Sequence, residues 1–167
     1  MNNAIAISTL LVTLAVGAVG IYYASSQATG SGGATTRSSR EIALACEPEM
    51  GVFHIHPLLE VIVDGTQIEM PANIGVRPTC MTALHTHTAD GVLHVEAPEV
   101  RDFTLGDFFA VWNQPLNKTQ LSEYVTEKSH SLEVKVNDEY VTTGENTILA
   151  DGDRIQAVYT QKAGITP

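Results

Sequence analysis

Basic side chains are scarce in this chain: 9 Lys and Arg stand against 19 Asp and Glu, a formal net charge of -10 over 167 residues. A phosphate backbone needs clustered cations, so the balance argues against nucleic acid as a partner. It argues equally against a polybasic grip on anionic lipid. Cysteine is limited to Cys46 and Cys80, which suits one disulfide in an exported domain. Met1-Asn2-Asn3 lacks the Lys or Arg that opens a cleavable signal peptide. No nucleophile motif promotes a catalytic reading.

Charge is missing altogether from Ala4 to Ala24, where Ile, Leu, Val, Ala and Gly dominate. At about 1.5 Å per residue that run reaches roughly 30 Å, the thickness of a bilayer's hydrocarbon core. Tyr22 and Tyr23 close it, where amphipathic rings prefer the interface. We read residues 1–25 as an uncleaved transmembrane anchor, with a cleaved signal or a buried helix as alternatives. Residues 26–40, rich in Gly, Ser and Thr, read as a flexible tether. Residues 41–167 form a soluble domain, divisible at residue 99 into a His-rich β part and a β-grasp-like part.

Membrane orientation is weakly marked. Arg37 and Arg40 lean toward a cytoplasmic C-terminal domain. The tether, the two cysteines and the Asn117-Lys118-Thr119 glycosylation sequon point the other way. The expected location is the cell membrane, single-pass, with the C-terminal domain extracytoplasmic.

Within that domain Val52 to His56 alternates as a strand, which puts His54 and His56 on one face. Leu59–Val63 and Gln67–Met70 flank Asp64-Gly65, a two-residue hairpin signal. Val76 to Met81 contains Pro78 and reads as a loop. Thr82–His87 and Val92–Ala97 form a second hairpin. Leu105, Phe108, Phe109 and Trp112 make the apolar stripe of a short helix, with Thr104 as N-cap and Asp107 closing an approximate capping box. Further strands are expected over Leu132–Val136 and Arg154–Tyr159. The fold class is α+β: mainly antiparallel hairpins with one short amphipathic helix, preceded by the transmembrane helix.

Five of the six histidines, His54, His56, His85, His87 and His94, lie between His54 and His94. A His-x-His pair on a strand presents both imidazoles to one side, and two such pairs occur here. With a two-residue Asp90-Gly91 turn, His87 faces His94 and His85 faces Glu96. With a four-residue loop, His85 faces His94. Both registers keep His85, His87, His94 and Glu96 on one face, since a shift of two preserves parity. Neutral imidazole suits Cu and Zn, so these four residues form a candidate metal site that His54 and His56 either complete or duplicate. Glu96 is a ligand, a general base or an orienter, and Glu60 is a second candidate base. His130 reads as solvated, and Met50, Met70 and Met81 as packing residues. A thiolate from Cys80 is the alternative to the disulfide, although no Met follows the histidines as a blue-copper site requires.

Two resemblances follow from these residues. Gly51-x2-His54-x-His56-x3-Glu60 resembles the first cupin motif, which implies metal binding by those histidines and Glu60; the second cupin motif is absent. His54-Ile55-His56-Pro57-x-Leu59, Leu84-His85-Thr86-His87, Gly91-x2-His94-Val95-Glu96 and Phe103–Trp112 together are similar to a family of exported, N-terminally anchored prokaryotic proteins. That resemblance implies export and grouped histidines but no mechanism. Asn137-Asp138 stands where it suggests Asn-Gly. The expected function is a membrane-anchored, extracytoplasmic binding protein for Cu or Zn. A metal-dependent enzyme at the same ions and a metal-free structural or adhesive surface protein are the alternatives, and protein partners are undefined.

Overall fold

Asp64 and Gly65 both take positive φ, 47° and 80°, so the chain reverses in two residues and pairs Leu58–Val63 with Thr66–Ile68. The expected hairpin is therefore present in the computed structural model, which describes residues 37–48 and 51–164. Asn137 and Asp138, with φ of 52° and 69°, make the same kind of turn between His130–Val136 and Glu139–Val141. Asn and Asp tolerate this left-handed region better than other side chains, which is why the turn forms without glycine.

These two hairpins belong to one five-stranded sheet. Its order runs Glu139–Val141, His130–Val136, Arg154–Gln161, Leu58–Val63, Thr66–Ile68. The central contact is parallel: Arg154–Gln161 lies beside Leu58–Val63, with Gln156 opposite Glu60. Three smaller sheets of three strands complete the β structure. One joins Cys46–Glu47, Cys80–Thr82 and Val76–Arg77, and Cys46 and Cys80 are linked there as a disulfide.

Two helices cover this frame. The first, α1 (Ser39–Leu44), starts from a capping box in which Ser38 and Glu41 bond reciprocally. The second, α2 (Leu105–Val111), starts from the expected Thr104–Asp107 box and buries Leu105, Phe108 and Phe109. Arg40 ties the two together, since its Nε lies 2.7 Å from Asp107 Oδ1 and its Nη1 donates to Gly106 O. Phe103, Leu84, Leu93, Val95 and Ile155 join the α2 aromatics in the core.

Several expectations need correction. The described residues form a mainly β protein with four sheets and two short helices, not an α+β protein with one helix. Its longest sheet is mixed rather than built of antiparallel hairpins alone. The extra helix, α1, starts inside the span read as tether, because six residues are too few to show helical periodicity. Val76 to Met81 is a small hairpin in which Val76 pairs with Met81, not a loop. Leu58–Val63 and Arg154–Gln161, which lie on opposite sides of residue 99, share a sheet. The expected anchor over 1–25 lies outside the described residues. Among the described residues no helix is long and apolar enough to cross a membrane.

Candidate metal centre

Three strands carry His54, His85 and His94 and lead directly into His56 and His87: Phe53–Ile55, His94–Ala97 and Leu84–His85, with His94–Ala97 in the middle. On one side Leu84 pairs with Val95 and His85 with His94, the register expected for the longer loop. On the other side Phe53 pairs with Ala97 and His54 with Glu96. One further step along that register sets His56 beside His94. A row of three imidazoles, His56, His94 and His85, therefore crosses the sheet. Ring centroids are 4.7 Å apart for His56 and His94, and 5.4 Å for His85 and His94. His54 and His87 stand two residues away on the same face, as strand parity requires.

Local chemistry fixes each ring. His85 is buried and its Nδ1 lies 3.0 Å from Thr82 O. A carbonyl only accepts, so Nδ1 carries the proton and Nε2 keeps the lone pair. That Nε2 is 3.2 Å from His87 Nε2. Two tetrahedral ligands at about 2.0–2.1 Å from one ion have donor atoms about 3.3 Å apart, so this pair has the spacing of a ligand edge. His54 Nε2 lies 3.0 Å from Glu96 Oε1, a carboxylate–histidine pair that leaves His54 Nδ1 as its free donor. His94 Nδ1 is buried and has no hydrogen-bond partner. A buried imidazole nitrogen without a partner is costly, and a bound cation would satisfy it.

The protonation states suit ligation. Burial holds the His85 imidazole below its ordinary range, against the opposing pull of its bond to Thr82 and of the Glu96 charge. Burial also lowers His94, helped by the neighbouring His87, His56 and His85 rings. Both are therefore neutral near pH 7, the form that donates to a metal.

The ligand atoms fall into two groups of three, His54–His56–His94 and His85–His87–His94, each with all its atoms within 4.8 Å. Glu96 stands beside the first group as the partner of His54. Glu60 is elsewhere engaged: its Oε2 accepts from Gln156 Nε2 and from Arg154 Nη2, both at 2.8 Å. His130 stacks on Tyr159 at 4.7 Å instead of facing solvent alone. The disulfide removes Cys80 as a thiolate ligand.

Other residues hold the site and were not singled out in the sequence. Thr86, buried between His85 and His87, accepts from Ile74 N and donates to Pro71 O, so its neighbours point to the opposite side of the chain. Its signal was the threonine in the middle of His-Thr-His. Asp151 Oδ1 accepts from His56 N at 2.9 Å, a contact across 95 positions that no local pattern announces. Gly91, at φ +89°, lets the loop press onto Leu59, where an added Cβ would meet Leu59 O at 2.5 Å. No protein-family model, curated protein or solved structure matches this chain.

Proposed function

We propose that this chain is a membrane-tethered, extracytoplasmic protein that binds a transition-metal ion, copper or zinc, through the histidine row. The observation that carries the reading is the convergence of imidazole donors. Each group gathers three within 4.8 Å, and one pair is already at ligand-edge spacing. Five imidazoles with no thiolate suit either metal, because both accept nitrogen donors. An acidic surface favours the approach of cations. The apolar run before residue 25, the disulfide and the resemblance to exported, anchored proteins support the placement.

Elemental analysis of the full chain, purified without a polyhistidine tag, tests it. Near-stoichiometric copper or zinc is expected in the parent and in His130→Ala, and none in His94→Ala. Equal content in all three refutes the assignment. A metal-dependent enzyme is the second reading, favoured because three protein ligands leave a tetrahedral ion one open position. Metal-dependent hydrolysis of an activated ester, lost in His94→Ala, would support it.

A further inference from the structure

His94 is a member of both groups, while His54 and His56 complete one and His85 and His87 the other. The two pairs differ in depth. His54 and His56 are exposed, whereas His85 is buried and locked by its bond to Thr82. A neutral imidazole has a single lone pair, so His94 ligates one ion at a time. Its ring lies between those of His56 and His85, so an ion bound to it has either pair within reach.

We propose that the five histidines are a two-position relay for one transition-metal ion. The exposed group, His54–His56–His94, takes the ion from water, and the deeper group, His85–His87–His94, retains it. His94 stays bound throughout, and the other ligands exchange through the five-coordinate geometry that zinc-like ions accept. Loading displaces the ion's waters, imidazole nitrogens take their place, and no electron moves. Glu96 steadies His54 at the loading position. Retention at the deeper position follows from rigidity: the His85 and His87 donors are already 3.2 Å apart before an ion arrives. The proposal rests on the metal-binding reading above, and the test separates the two.

Cobalt(II) is the probe, added to the metal-free full chain and followed by its visible absorption in stopped flow. The parent is expected to take one ion per chain. His54→Ala/His56→Ala, which alters exposed side chains only, should still hold one ion but load at least tenfold more slowly. His87→Ala, also at an exposed residue, should load at the parental rate and lose the ion to EDTA at least tenfold faster. Loading of His54→Ala/His56→Ala at the parental rate, or two ions per parent chain, overturns the relay and leaves metal binding intact. No ion in the parent overturns both.

Discussion

Thr86→Val would separate the support of the site from its ligands. The side chain is fully buried, and its Oγ1 accepts from Ile74 N at 3.0 Å and donates to Pro71 O at 3.2 Å. Valine keeps the shape and removes both bonds. Ile74 is buried, so its N–H loses its acceptor without water to replace it, at about 1–3 kcal/mol. Pro71 is exposed and its carbonyl can turn to water. The added methyl returns up to about 0.8 kcal/mol, so from the middle of that range, ~2 kcal/mol, the net loss is about 1–2 kcal/mol. For a domain of this size that corresponds to a fall in Tm of about 4–8 °C. Cobalt affinity should fall too, because Thr86 sets the direction of His85 and His87. Thermal unfolding by circular dichroism, with the disulfide intact, reads the first effect and a cobalt titration the second. Thr86→Ser, which keeps the hydroxyl, should retain the affinity. A Thr86→Val protein within ~0.5 kcal/mol of the parent, with parental affinity, would refute the reasoning.

Acid should weaken the metal-free fold through two desolvated histidines. His85 and His94 are depressed in the folded state, so below about pH 6.5 the unfolded chain binds protons that the folded chain refuses, and stability falls with pH. Urea unfolding at pH 7.5, 6.5 and 5.5 checks this, and stability rising toward pH 5.5 would contradict it. Metal affinity should decline over the same range, as titration by competition with a chelator would show. Reducing Cys46–Cys80, which are 34 positions apart, should cost up to about 4 kcal/mol by loss of the constraint on the unfolded chain, read as a shift in the urea midpoint with and without reductant. Gly91→Ala should destabilise by about 2 kcal/mol or more, since it combines positive φ with a clash against Leu59 O, and thermal unfolding measures it.

What could be read before the structure was local. The Asp64-Gly65 turn, the α2 stripe and the shared face of His85, His87 and His94 all follow from periods of two or 3.6 within a few residues. Parity left the hairpin register open by two, and the structure takes the option that puts His85 opposite His94. Nothing local says that His54 pairs with Glu96, because that contact joins strands separated along the chain by five others. Strands of two or three residues, such as Val76–Arg77 and Cys80–Thr82, are too short for alternation to register. Glu60 illustrates the opposite case. The resemblance to the first cupin motif implies a ligand there, yet the five-stranded sheet turns it toward Arg154 and Gln156.

The parallel contact between Leu58–Val63 and Arg154–Gln161 has a consequence for the order of assembly. Glu60 meets Gln156 across 96 positions, so the middle of the largest sheet cannot close until nearly the whole chain has been synthesised. The histidine strands, by contrast, are complete by Ala97 and pair with one another. A ribosome-bound fragment ending shortly after Ala97 would hold every candidate ligand while lacking the Asp151 carboxylate that anchors His56. In such a fragment His85 already has its Thr82 partner, whereas His56 gains its anchor only once the turn before the final strand is made.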